Sequence, residues 1–350
     1  MLPEWVNQKC PDVSAHHREA AIARQGQLTK PTGALGRLEQ LAIELAGLQA
    51  TGQPRAARAP IIVFAGDHGI VAQGVSAYPQ EVTIAMMANF AAGGAAISVL
   101  ARELGSSLEV IDAGTLAGAE MAGVVTDKPR SGTRDFSVEA ALIPAELAYA
   151  FETGRRAVAR AEVHQPDLLI FGEMGIGNTT AAAAIAASLL GINAEEIAGS
   201  GTGVDAAGRT HKARVIDAAI ARHGIAGAAP EQILCAVGGL EIAAICGAII
   251  AAAQARIPVL IDGFIVSVAA LAAVRINPSC RPFLLPSHQS AEQGHRLVLR
   301  ALNVQPLISL DLRLGEGSGA AVALPLVRLA CSLHNGMATF AQANVPDRPS

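Results

Sequence analysis

Two carboxylates, Glu173 and Glu316, each sit inside a glycine-dense turn, Gly172-Glu-Met-Gly-Ile-Gly-Asn-Thr-Thr180 and Gly315-Glu-Gly-Ser-Gly319. A third such turn is Gly199-Ser-Gly-Thr-Gly203. Each precedes a segment of helical pattern, so main-chain N–H groups and the positive end of a helix dipole can hold a phosphate without side-chain charge. A carboxylate in such a turn meets a bound ligand at close range. Apolar neighbours such as Leu314 raise its proton affinity towards the range a general base needs. The pattern points to acid–base chemistry on a phosphorylated small molecule. The alternatives are glycines that only make tight turns, and a Glu316 that pairs with Arg313 or caps the following helix.

Other ligand classes fit poorly. No turn ends in Gly-Lys-Ser/Thr, and Gly172-x-x-Gly175-x-Gly177 reverses the dinucleotide spacing GxGxxG. Leu169-Ile-Phe-Gly-Glu-Met carries one acid, whereas enzymes that use a pyrophosphate-activated ribose resemble one another in carrying paired acids there, so no magnesium–pyrophosphate site is indicated. Asp67-His68 and His288 match no zinc spacing, and local hydrogen bonding is their expected role; neither a metal nor a cofactor is expected. Of the four lysines, Lys30 and Lys212 adjoin glycine-rich segments and can contact a phosphate or carboxylate, the alternative being a solvated surface position.

Positioning these groups requires a scaffold. Short aliphatic runs at 61–65, 108–112, 168–171, 259–261 and 283–285, with 307–312 as a sixth candidate, alternate with longer Ala-rich helical stretches. That alternation predicts an α/β class with parallel strands covered on both faces. Several runs end in polar or glycine-rich segments, including Gly66-Asp-His-Gly69, Asp112-Ala-Gly114 and Asp262-Gly-Phe264. Ligands of open α/β sheets bind outside the carboxyl ends of the strands, so all these segments should face one crevice. Helices are expected at 16–28 and 35–48, an exposed polar loop at 126–136, and no regular structure at 345–350.

Composition sets further bounds. With 350 residues, 51% of them hydrophobic but only 3% aromatic, the chain must build a sizeable core from closely approaching helices and small aliphatic side chains. A net charge of −4, with acids and bases interspersed, offers no basic face to nucleic acid or anionic lipid. The apolar helix expected at 242–255 falls short of the roughly 20 residues a bilayer requires, so no membrane partner is expected. Five scattered cysteines without CxxC spacing, and an N-terminus carrying Glu4, Lys9 and Asp12, fit a reducing cytoplasm.

The ordered motifs Lys30-Pro-Thr-Gly-Ala-Leu-Gly-Arg-Leu-Glu39, Gly66-Asp-His-Gly69, Gly74-Val-Ser-Ala-Tyr-Pro79, Gly172 to Thr180, Asp262-Gly-Phe264, Ser287-His-Gln-Ser-Ala-Glu292 and Arg313-Leu-Gly-Glu-Gly-Ser-Gly-Ala-Ala321 span nearly the whole chain. Through them it resembles the nicotinate-nucleotide–dimethylbenzimidazole phosphoribosyltransferase family of the cobalamin pathway. The resemblance implies a Rossmann-like parallel sheet flanked by helices at 58–329, a small helical domain made from 1–50 together with 330–350, and a homodimer. It implies transfer of the 5-phosphoribosyl group of nicotinate mononucleotide to a benzimidazole, with inversion at C1′. Glu316 is then the proton acceptor, Glu173 the second carboxylate and Lys212 a lysine near the active site. Phosphate and ribose contacts would come from Gly175, Gly177, Asn178, Thr179, Gly201 and Ser290. Tyr78, Met86 and Leu314 would line the acceptor slot, with ordinary core packing as their alternative. Ala85 replaces a polar side chain common in relatives, and Thr32 and Ala34 replace Pro and Ser, which leaves the acceptor base open. A nucleotide hydrolase and a non-catalytic nucleotide-binding protein are the rival functions.

Overall fold

Six short segments pair into one parallel sheet in the computed structural model, which describes residues 1–201 and 203–346. Thr202 and residues 347–350 lie outside the described residues, including the last positions of the expected helical domain and most of the stretch expected to lack regular structure. From the N-terminus, α1 (Ala15–Gln27) and α2 (Arg37–Gln49) precede β1 (Ile61–Gly66). Next come α3 (Glu81–Ala92), α4 (Ala96–Leu104), β2 (Leu108–Gly114), β3 (Val124–Thr126), α5 (Pro144–Glu162) and β4 (Leu169–Met174). The helices α6 (Asn178–Leu190), α7 (Ala194–Ile197), α8 (Ala206–His223), α9 (Pro230–Val237) and α10 (Leu240–Gln254) lead to β5 (Val259–Ile261). The chain closes with α11 (Phe264–Ile276), β6 (Leu284–Pro286), α12 (His295–Ala301), α13 (Ser318–Gly336) and α14 (Phe340–Ala343).

The strand order is β3-β2-β1-β4-β5-β6, every pair parallel. This is the doubly wound Rossmann order, in which the chain reverses direction across the sheet between β1 and β4. All of β1 and all but the last residue of β4 are buried, as their unbroken apolar character requires of strands covered on both faces. The scarcity of aromatics is met by close helix contact. A Cβ at Gly154 of α5 would lie 2.0 Å from the carbonyl oxygen of Ala244, and one at Gly247 of α10 would lie 2.4 Å from that of Phe151.

Two expectations need correction, and one strand was unforeseen. Residues 307–312 form no strand: the segment makes a single parallel bridge, His288 to Ile308, and Asp311 adopts a left-handed conformation that interrupts the run before Ala291 N donates to Leu312 O. β3 was not expected; its three residues are too short to show a period. The polar stretch 126–136 is not an exposed loop. Thr133 N donates to Asp67 O at 2.9 Å, Phe136 is buried, and the charges of Asp127, Lys128 and Arg134 are met by Arg156, Asp112 and Glu146.

Glu81–Leu104 is apolar and long enough by composition to cross a bilayer, with a mean hydropathy of 1.7. It is nevertheless two helices, divided at Gly93-Gly94, where Gly93 has φ 84°. At the chain ends α1 packs on α2 and α2 on α13, while Arg24 donates from Nε to His334 O at 2.7 Å and from Nη2 to Asn335 O and Met337 O. α13 runs unbroken across position 330, and one hydrophobic cluster extends from Trp5 to Cys331.

Candidate active site

A cavity of about 290 Å³ opens at the carboxyl ends of β4, β5 and β6, beside the switch point. Its wall includes Glu173, Gly175, Asn178 and Thr179 after β4, Gly263 to Val266 after β5, and His288, Ser290 and Glu292 after β6. Met174 and Ile176, with Tyr78, Gly201, Arg313, Leu314 and Gly315, complete it. Eight expected site residues therefore meet in one place: Glu173, Gly175, Asn178, Thr179, Gly201, Ser290, Tyr78 and Leu314. Glu316, Lys212, Gly177 and Met86 stand behind or beside that wall.

Glu316 is buried and occupies a left-handed conformation, φ 63°, between Gly315 at 87° and Gly317 at 83°. A non-glycine residue there costs about 1–3 kcal/mol and persists only where its surroundings enforce it. The enforcement comes from Gly172, whose missing side chain lets the Glu316 main chain lie on β4, and from Gly315, whose Cα faces Glu173 Oε1. The Glu316 carboxylate accepts from Ile97 N at 3.4 Å, at the start of α4. It is neither paired with Arg313, which donates to Gly201 O, nor a cap for α13. Burial raises its pKa, and the nearby Asp262 adds to the effect.

Glu173 accepts a short hydrogen bond from Asn178 Nδ2. Burial, then the negative charges of Asp262 and Glu241, push its pKa well above the ordinary carboxyl value. Lys212 is buried, donates from Nζ to Thr179 Oγ1 at 2.7 Å, and is pushed down by burial to about 8. Gly177 has φ 94° and packs on Val71 and His68, so it shapes the turn from the far side of the cavity. Met86 is half-buried against the core.

The glycine turns differ in what their helices hold. The first turn of α13 is occupied by Asp262, whose carboxylate accepts from Gly317 N at 3.1 Å and Ala320 N at 2.9 Å. Asp205 caps α8 through Gly208 N. Neither helix end is open to a phosphate. The starts of α6 and α11 have no side-chain cap and both face the cavity.

Sequence reasoning placed Asp262-Gly-Phe264 at the crevice but did not single out the α11 start as an anion site, because one glycine after a short strand is a weak signal. It also missed His288, Glu292 and Arg313 as wall residues, although the motifs containing them were in view. Glu292 Oε2 is buried with no partner among the described residues. Ser290 N donates to His295 Nδ1 at 2.8 Å, and burial pushes that imidazole down to about 3. The neutral ring can then donate from Nε2 to Ser267 Oγ, 2.9 Å away, and fixes Ser290 at the cavity edge. Behind the wall, His68 Nε2 lies 2.7 Å from Glu241 Oε1, both fully buried. Among the described residues no group of three His, Cys, Asp or Glu is arranged to hold a metal ion.

A family model described as phosphoribosyltransferase matches residues 10–345. The nicotinate-nucleotide–dimethylbenzimidazole phosphoribosyltransferase of Bradyrhizobium diazoefficiens is 87% identical over 350 residues, covering 100% of both chains. That of Pseudomonas aeruginosa is 55% identical over 351 residues, again covering 100% of both. A crystal structure of the Thermus thermophilus enzyme of that name is similar at TM-score 0.90 and 42% identity, over 96% of this chain and 100% of the other. The chain belongs to the nicotinate-nucleotide–dimethylbenzimidazole phosphoribosyltransferase family.

Proposed function

We propose that the protein transfers the 5-phosphoribosyl group of nicotinate mononucleotide to 5,6-dimethylbenzimidazole or a similar base, yielding α-ribazole 5′-phosphate and nicotinate for the lower ligand of cobalamin. The carrying observation is the left-handed Gly315-Glu316-Gly317 turn seated on Gly172 beside Glu173. The uncapped starts of α6 and α11, with Thr179, Lys212 and Ser290, hold the phosphate. That fixed group aligns C1′ between the two bases, an orientation worth several kcal/mol.

A ring nitrogen of the acceptor attacks C1′ as the bond to the pyridinium nitrogen breaks. The bonding pair goes to that nitrogen, the ring leaves as nicotinate with its nitrogen now neutral, and C1′ inverts from β to α. The acceptor, now cationic, gives the proton of its second ring nitrogen to Glu316. Glu173 stabilises the positive charge developing on the ribose. Its raised pKa favours the neutral form without ligand, and the cationic pyridinium ring favours ionisation. Tyr78 and Leu314 line the acceptor side, with Met86 behind them.

The test incubates the protein with nicotinate mononucleotide, with and without dimethylbenzimidazole, and analyses products by mass spectrometry and NMR. An α-linked ribazole phosphate formed with equimolar nicotinate supports the reading. Nicotinate release independent of added base would replace transfer by hydrolysis, and no turnover would leave a binding protein. We further place the protein in the cytoplasm as a homodimer in which the two chain ends form a small helical domain. Light scattering of the purified protein checks the assembly.

A further inference from the structure

A second cavity, about 590 Å³, lies between the α1–α2 pair and the edge strand β6 and shares no lining residue with the first. Its size falls within the roughly 300–1,000 Å³ usual for small-molecule sites. Three guanidinium groups, Arg18, Arg37 and Arg281, line it, against one carboxylate, Glu44. Leu48, Leu284 and Val304 give it an apolar wall.

The fold leaves part of each guanidinium unengaged. Arg18 has no side-chain partner among the described residues, and Arg37 Nε is buried without one. Arg37 Nη1 donates to Glu44 Oε1 at 3.1 Å and to Gln40 Oε1 at 3.0 Å. Arg281 donates from Nε to Leu302 O at 2.7 Å and from Nη2 to Asn303 O at 2.8 Å, which fixes its plane and leaves Nη1 free of any such bond. Arg37 and Arg281 are half-buried and Arg18 is exposed at the rim; guanidinium groups stay charged in either setting, so three of them beside a single acid hold an excess of two positive charges. Like charges lining one cavity repel unless a counter-anion joins them. A dianion matches the excess, and the rigid guanidinium forks match phosphate oxygens. The space and the aliphatic wall exceed what inorganic phosphate fills.

We propose that this cavity binds a phosphate monoester carrying an apolar ring, at a site separate from the one at the strand ends. The probe is 4-iodophenyl phosphate. In crystals grown with it, anomalous scattering should place iodine against Leu48 and Leu284, with the phosphate among the three arginines. Titration calorimetry should resolve two sites on the unmodified protein. Arg18→Gln combined with Arg37→Gln should weaken one of them by about tenfold or more, as loss of charge-assisted hydrogen bonds predicts. Glu44→Gln should tighten the same site, because it removes the carboxylate that competes with the ligand for the arginines. Transferase turnover should be unchanged in all these variants. Iodine only at the strand ends, or affinities indifferent to both substitutions, would overturn the proposal, and neither result depends on which reaction the protein catalyses.

Discussion

The main chain of Glu316 lies directly on Gly172: a Cβ at residue 172 would sit 2.3 Å from both the carbonyl carbon and the carbonyl oxygen of residue 316. Those atoms are backbone and cannot swing aside. Gly172→Ala should displace the 315–317 turn by a fraction of an ångström to an ångström and lower kcat by about 100-fold. Steady-state kinetics, with circular dichroism to verify the fold, would reveal it. Unaltered turnover would separate the turn from the chemistry.

Glu316→Gln keeps the size of the side chain and removes the proton acceptor. Turnover should fall by about 10²- to 10⁴-fold, the usual range for a general base. Affinity for nicotinate mononucleotide, measured calorimetrically without acceptor, should stay within about twofold, since the carboxylate faces Ile97 N rather than the phosphate loops.

Glu173 ties stability to pH. Its carboxyl holds a proton more tightly folded than unfolded, so between the ordinary value of 4.5 and the raised one the folded state carries more proton. Stability from this group is present at acid pH and is lost as pH rises through that window. Glu173→Gln should therefore melt above the unmodified protein at about pH 8 and converge with it near pH 4. Differential scanning calorimetry across pH would register the crossover, and a constant offset would contradict it.

The pKa of Lys212 is shifted in the opposite direction. With its pKa near 8, the ammonium that supports Thr179 is lost as pH rises through that value. The kcat/KM for nicotinate mononucleotide should fall above about pH 8, through a rising KM, and Lys212→Met should have a uniformly high KM with no such step. A variant that retains the step would assign it to another group.

Arg24 joins the two ends of the chain through three backbone carbonyls of residues 334, 335 and 337. Arg24→Ala should lower unfolding free energy by about 2 kcal/mol and leave turnover at low temperature unaltered. Urea denaturation paired with activity would detect it.

How far the sequence could be read depended on the range of each interaction. The strands at 61–65, 108–112, 168–171, 259–261 and 283–285 were legible because a strand buried on both faces must be apolar along its length. The glycine turns were legible because few other residues adopt their conformations. What fills each helix start was not. Asp262 reaches the first turn of α13 from more than fifty positions away, and no local pattern distinguishes that from a phosphate site. The same holds for His68 and Glu241, 173 positions apart and touching. Residues 307–312 misled because an apolar run is ambiguous until a reversal such as Asp311 is seen.

The crossing of α5 and α10 reaches further than packing. Gly154 and Gly247 set how deeply α10 sinks towards its neighbour, and Glu241 stands six residues, about 9 Å, up the same helix axis. Its carboxylate is wedged against Gly66 and Gly239 and contributes to the proton affinity of Glu173. A single methyl group at either crossing glycine, remote from any substrate, would lever that charge along the axis and retune an acid at the end of a different element.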